Sequence, residues 1–427
     1  MDTVSGPGPE NITTVEEFKA QLRALKAWSG LHSGNSSGAL AWRATRCFAA
    51  PVRQWSLHVA ATCLARSRST SATGPASRRP PPRSARFVIV VIMTLPPWPE
   101  VPIVQAPMAG GPSTPALAAA VSDAGGLGFL AAGYKTVEAM RADIAATREL
   151  TSRPFGMNVF MPPDDEIDPA AVAAYRDRLL PDAERLGVSP GIPAARDDGY
   201  EAKVAALLAD PPAFVSFTFG CPSADLIGAF QDSGAVVIVT VTGVEEARQA
   251  SAADVLCVQG AEAGGHQGSF TNTLGDPVPL RTLLQDVLAV SGQPLIATGG
   301  LGTAEDVADV LGLGAAAAQL GTVFVRCPES GASAVHKSAL ADPRFTSTAM
   351  TRAFSGRPAR GLVNRFLTEH SAYAPAAYPD VHYVTSPLRK ASAAAGDPDG
   401  VNLWAGESFR NAAETPAGQL VAALSGG

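Results

Sequence analysis

Residues 259–268, QGAEAGGHQG, hold the side chains best suited to chemistry. His266 stands there among four glycines. An imidazole titrates near neutral pH, so it can exchange a proton with a bound ligand. Glycines let the backbone approach a flat or charged molecule and adopt positive φ. Glu262, four residues before His266, could orient the ring; it could equally accept backbone N–H groups and brace the loop. The apolar run 254–258 ahead of the loop reads as a buried strand, which places the histidine just past a strand's C-terminal end.

The stretch 102–111 reads as a short strand running into a Pro/Gly turn, and other short apolar strands fall at 127–131, 155–160, 214–219, 236–241, 294–298 and 317–320, separated by helical patterns. Ser113 or Thr114 can cap the first helix, with Pro115 in its first turn. Strand–helix alternation about eight times implies a parallel sheet closed as a (β/α)8 TIM barrel, with functional groups at the strand C-terminal ends. Gln105, Met108, Asn158, Gly220, the His266 loop, Gly299-Gly300 and Gly321-Thr322 all fall there. Gly299-Gly300 could be an ordinary tight turn. Paired with Gly321-Thr322 after the eighth strand, it matches the place where barrels hold phosphate on backbone N–H groups. There is no GxGxxG after the first strand and no GxxxxGK[ST].

The composition is that of a folded α/β protein, with 46% hydrophobic residues. The charge is divided. Residues 1–92 hold 12 basic and 4 acidic residues, net +8, while the remainder holds 21 and 35, net −14. A short amphipathic helix is expected at 13–28, resembling the opening helix of some bacterial helix-turn-helix regulators without the turn or the recognition helix. A basic Ser/Arg/Pro-rich stretch follows. The expected organisation is a basic, disordered extension at 1–92, with Met93 a possible start, then the barrel at 93–328 and a smaller, mostly helical C-terminal subdomain at 329–427. Five cysteines without CxxC spacing suggest neither disulfides nor zinc and fit a cytoplasmic protein. No apolar run is long enough to span a bilayer. His336, His370 and His382 are scattered and read as solvated or structural, so no metal site is expected.

Segments 103–111 with Ser113-Thr114-Pro115, 124–128, 132–134, 155–160, 259–268, 299–302, 319–322 and 351–366 together resemble the nitronate monooxygenase family, most of all its class I branch. The resemblance runs from about Pro102 to the C-terminus. It implies an FMN-dependent monooxygenase that oxidises alkyl nitronates, such as propionate 3-nitronate, with O2 to a carbonyl compound and nitrite. His266 would be the base or the hydrogen-bond partner of the substrate. The flavin would meet Ala106, Pro107, Met108, Asn158, Gln259, Gly260, Gly264, Gly265 and Gln319, and its phosphate Gly299, Gly300, Gly302, Gly321 and Thr322. Some relatives carry a flavin-contacting lysine after the fifth strand; here 239–243 is VTVTG, so Thr242 or backbone must serve. Arg357 and Arg360 could face an anionic substrate or pair with surface acids. Tyr373, Tyr378 and Tyr383 could cover the site or pack in the core. An FMN-dependent NAD(P)H:quinone or enoyl reductase is the alternative on the same barrel. A ligand-sensing DNA-binding regulator is a third reading, opposed by the acidic body. A monomer or a homodimer fits equally, with no nucleic-acid or membrane partner expected.

Overall fold

The computed structural model describes His58–Ala61, Ile89–Ile92 and residues 98–426 apart from Leu274, Asp276 and Pro277. The helix expected at 13–28 and the possible start at Met93 lie outside these residues. His58–Ala61 pairs antiparallel with Ile89–Ile92 within a unit separate from Pro97–Gly427.

All eight expected strands form: β1 (Ile103–Gln105), β2 (Gly128–Ala131), β3 (Phe155–Phe160), β4 (Phe214–Thr218), β5 (Val236–Val241), β6 (Val255–Gln259), β7 (Leu295–Thr298) and β8 (Ala317–Leu320). They are parallel and each neighbours the next, with β8 beside β1. Closure between β1 and β2 comes from Gln105 N–H to Leu127 O and Leu127 N–H to Ile103 O, both 2.9 Å. Gln105, wholly buried, reinforces this seam: its Oε1 accepts Phe129 N–H at 3.0 Å.

Side-chain alternation along the strands builds two layers. Phe214, Val236, Ile238, Val255, Cys257 and Ile296 point inward and fill the barrel with Val104 and Phe129. Val215, Val237, Leu256 and Ala297 point outward, onto the helices. Helix Pro115–Asp123 is capped by Thr114 Oγ1, which accepts Leu117 N–H at 3.0 Å. It lies so close to β2 that a Cβ on Gly128 would stand 2.0 Å from Ala118 O, so only glycine fits there.

The segment between β3 and β4 carries helices Pro169–Arg178, Leu180–Arg185 and Tyr200–Ala209. Val172, Tyr175, Leu179 and Ala183 share one apolar cluster with Phe354, Phe366, Val381, Val384 and Leu388 from the C-terminal part. That part is helical at Ala334–Ala341, Arg365–His370, Asp380–Ala394 and Ala417–Leu424. It also contains strands Thr348–Thr351 and Ala359–Leu362. Ala359–Leu362 pairs antiparallel with Gly265–His266 of the histidine loop. No helix among the described residues is long and apolar enough to cross a membrane.

Candidate active site

The C-terminal ends of the strands open into a cavity of about 970 Å³. Ala106, Pro107 and Met108 line it after β1, Asn158 from β3, and Gln259, Gly264, Gly265 and His266 from β6 and its loop. Gly299 and Gly300 follow from β7, and Gln319, Gly321 and Thr322 from β8. The sequence-expected residues Gly260 and Gly302 are not part of the wall. A Cβ on Gly260 would meet Leu280 at 2.5 Å, so this glycine admits the next helix rather than a ligand. Gly302 N–H is spent on Asp306 Oδ2 at 2.9 Å, in a capping box whose acid already occupies the helix N-terminus.

The histidine loop is held from several sides. Gln259 braces it with both ends of its amide: Nε2 donates to His266 O at 3.2 Å and Oε1 accepts Gly268 N–H at 2.7 Å. Gln267 N–H donates to Pro358 O at 2.9 Å. Arg357, only 1% exposed, donates to the carbonyls of Gln267, Ser269 and Thr271, and its guanidinium lies 4.1 Å from the ring centre of Phe219. It therefore sits behind the loop, neither facing a substrate nor pairing at the surface. Arg360 binds Ala261 O at 3.0 Å and pairs with Glu407 at 3.2 Å. Glu262 does not reach the imidazole; it accepts Leu280 N–H at 3.0 and 3.2 Å and braces the start of helix Leu280–Leu288.

His266 thus has a fixed environment. Its Nε2 lies 2.9 Å from Ser355 Oγ, and edge-on contacts to Phe219, Tyr378 and Trp404 enclose the ring. Burial, helped by the positive charges of Arg357 and Arg389, pushes its pKa down to about 3. The imidazole is neutral at neutral pH. Beside it, Gly265 has φ +75 and open space where a Cβ would stand, so the backbone itself forms the cavity floor.

Next to this loop, after the adjoining strand β7, Gly299 and Gly300 have φ +123 and +69, and a Cβ on Gly300 would press on Glu262 Cβ at 2.8 Å. A short helix, Thr322–Val325, starts directly after β8, and Thr322 Oγ1 accepts Gly406 N–H at 3.0 Å. Asn158 is fixed by Nδ2 donating to Ser216 Oγ at 2.8 Å and Thr218 Oγ1 at 3.0 Å. Thr242 turns away from the cavity, binding Glu246 through N–H and Oγ1; Thr240, two residues earlier, lines the wall.

Two histidines expected to be solvated or structural lie in the cavity wall as well. His336 Nε2 donates to Trp404 O at 2.9 Å, and burial pushes it down to about 4. His382 stacks on Tyr134 at 4.1 Å between ring centres; burial and the nearby Arg389 push it down to about 2. Tyr134 in turn meets Tyr378, hydroxyl to hydroxyl, at 3.2 Å. Tyr383 lines the cavity and Tyr373 is 59% exposed. His370 pairs with Asp182 at 3.0 Å in a cluster with Glu369 that Arg365 and Arg185 neutralise.

Barrel, glycine walls and histidine loop together match one family. Its profile, that of nitronate monooxygenase, covers residues 98–427. The chain belongs to the nitronate monooxygenase family. It is similar to a nitronate monooxygenase of Pseudomonas aeruginosa, 41% identical over 335 residues, which are 76% of this chain and 95% of that protein. A nitronate monooxygenase of Paraburkholderia phytofirmans is 39% identical, covering 76% of this chain and 91% of its own. Among solved structures, nitroalkane oxidase from Streptomyces ansochromogenes is 52% identical with a TM-score of 0.75, over 77% of this chain and 95% of that one. As a nitronate monooxygenase family member the chain is an oxidoreductase, and its site works on a small molecule.

Proposed function

We propose that the protein oxidises alkyl nitronates with O2, using FMN held in the barrel mouth, and releases a carbonyl compound and nitrite. The fit of FMN rests on the cavity. Its volume, about 970 Å³, is at the upper end for a ligand site and leaves room for a cofactor and a small substrate together. Gly264, Gly265 and the main chain at Ala106–Met108 would take the flat ring. The backbone N–H groups at Gly299, Gly300, Gly321 and Thr322 would take the phosphate. FMN, when bound, supplies the electron transfer from substrate to O2.

The neutral His266 at the cavity carries the choice of substrate. A ring with its pKa near 3 is a weak base for removing a carbon proton, so it suits a substrate that arrives already deprotonated. A nitronate is such a substrate. Ser355 Oγ accepts Arg357 N–H at 3.4 Å and lies closer to His266 Nε2, at 2.9 Å, than to Arg357 O, at 3.3 Å. Donating its hydroxyl to Nε2, it leaves Nδ1–H as the ring's donor to an anionic oxygen. His266 then orients the substrate through a hydrogen bond, and Phe219, Tyr378 and Trp404 keep water from its ring faces. The protein acts in the cytoplasm, where free thiols such as Cys221, Cys257 and Cys327 persist.

The test is O2 uptake by the FMN-loaded protein given propionate 3-nitronate, with NADH and a quinone as the parallel addition. Uptake with the nitronate is expected, and His266→Ala lowers kcat/KM at least about tenfold with FMN content unchanged. Silence with nitronate together with oxidation of NADH would move the protein to the reductase reading.

A further inference from the structure

Helix Asp380–Ala394 lines the cavity with His382, Tyr383, Ser386, Arg389, Lys390 and Ala393, and His382, Ser386 and Arg389 fall at one-face spacing. Arg389 is a cation held entirely by neutral groups. Its Nε donates to Thr385 Oγ1 at 3.0 Å and Nη1 to Asn402 Oδ1 at 3.2 Å; Nη2 donates to His382 O at 2.9 Å and meets His382 Nδ1 at 3.3 Å. No carboxylate among the described residues pairs with it. A guanidinium only donates, so His382 Nδ1 must accept, and the ring proton must sit on Nε2. Stacking on Tyr134, with the two ring planes 6° apart, fixes the orientation of the imidazole. His382 Nε2 has no partner among the described residues, and the ring borders the same cavity as His266.

We propose that His382 and Arg389 form an anion-recognition pair: Arg389 locks His382 as the Nε2–H tautomer, and that N–H, backed by the guanidinium charge, receives an anionic oxygen of the substrate. His382 is the contact residue and Arg389 the positioning residue. The cavity then has two histidine donors for an anion, His266 through Nδ1 and His382 through Nε2. The inference rests on the nitronate reading for the identity of the anion, but not for the tautomer or for anion binding itself.

The test uses the full-length, FMN-loaded protein with 15N-labelled histidine, and nitrate as a planar anion that cannot be turned over. Long-range 15N–1H spectra report the tautomer of each of the six histidines, and His382→Phe assigns the signal. The expected result is an Nε2–H ring at His382 whose signals shift on nitrate addition. Nitrate affinity falls about tenfold in His382→Phe and in Arg389→Met, the worth of one hydrogen bond to a charged partner, and His382→Gln restores most of it by returning an N–H donor. With the nitronate, the same variants raise KM more than they lower kcat. An Nδ1–H ring at His382 in the unmodified protein overturns the proposal, whether or not the variants fold. So does nitrate binding that stays within about twofold in both His382→Phe and Arg389→Met, since the missing donor and charge should cost more than that. Loss of nitronate oxidation with the tautomer and nitrate binding intact would count against the substrate reading instead.

Discussion

Acid should weaken this protein through its buried histidines, and His336 allows the effect to be isolated. The side chain is 8% exposed and donates to Trp404 O at 2.9 Å, and burial lowers its pKa to about 4. In the unfolded chain the same ring titrates at about 6.5. As pH falls through that value the unfolded state gains a proton that the folded state refuses. The contribution to stability is therefore fully present above about 6.5 and is lost as pH drops toward about 4. At about pH 5 the loss from this residue amounts to about 2 kcal/mol. His336→Gln removes the titration but can keep an N–H donor for Trp404 O. Urea unfolding followed by tryptophan fluorescence, at neutral pH and near pH 5, gives the slope for each form. The variant starts less stable because the smaller side chain packs less well, yet it should lose about 2 kcal/mol less on acidification. His266 and His382 act with the same sign in both forms and cancel in the comparison. Equal pH slopes in the two proteins would refute the reasoning.

Two further substitutions test how the histidine loop is held. Arg357→Met removes donors from the carbonyls of Gln267, Ser269 and Thr271 and the cation over Phe219, and should cost about 2–4 kcal/mol in chemical denaturation; Arg357→Lys should not restore it, because a lysine cannot fork to several carbonyls. Glu262→Ala should cost about 1–2 kcal/mol by uncapping helix Leu280–Leu288, while steady-state kinetics show KM for nitronate changed less than about twofold, since Glu262 touches Leu280 and not His266.

The barrel was readable because its strands are short, apolar and separated by well-signalled helices. Val236–Val241 and Phe155–Phe160 match their expected limits residue for residue. The strand ends located most of the cavity wall for the same reason: a closed parallel sheet sends every strand C-terminus to one mouth. Less of the remainder was legible. Gly302 looks like Gly299 and Gly300 in the sequence, and only the structure shows its N–H taken by Asp306. Helix Asp380–Ala394 contains Pro387 and begins beside Pro379, both of which signal a break rather than a helix. The spacing of His382, Ser386 and Arg389 was the available signal, since on a helix it makes one polar stripe. Ser355 and Trp404 carried no local mark at all; they reach His266 from segments about ninety and more residues away through tertiary packing.

That packing explains why a loop so rich in glycine can hold a histidine in one place. Four glycines within residues 259–268 would leave an isolated loop with high conformational entropy, and entropy of that size opposes any fixed ring position. The barrel supplies one anchor, through Gln259. The C-terminal part supplies the others: the pairing of Ala359 with His266, the Pro358 carbonyl, the fork of Arg357 and the hydroxyl of Ser355. It also closes the cavity with helix Asp380–Ala394, whose Arg389 adds a second cation to that of Arg357 near His266. The two charges lie in a body of net charge −14 after residue 92. Beyond a Debye length the acidic surface dominates, whereas at the buried ring of His266 the two guanidiniums are the charges felt. Burial first, and these two cations with it, keep His266 unprotonated, and Arg389, which borders the cavity, also favours an anionic substrate. Substrate charge and histidine state are therefore set together by residues outside the barrel strands. The barrel alone would have the glycine walls of this site but neither the field nor the fixed imidazole.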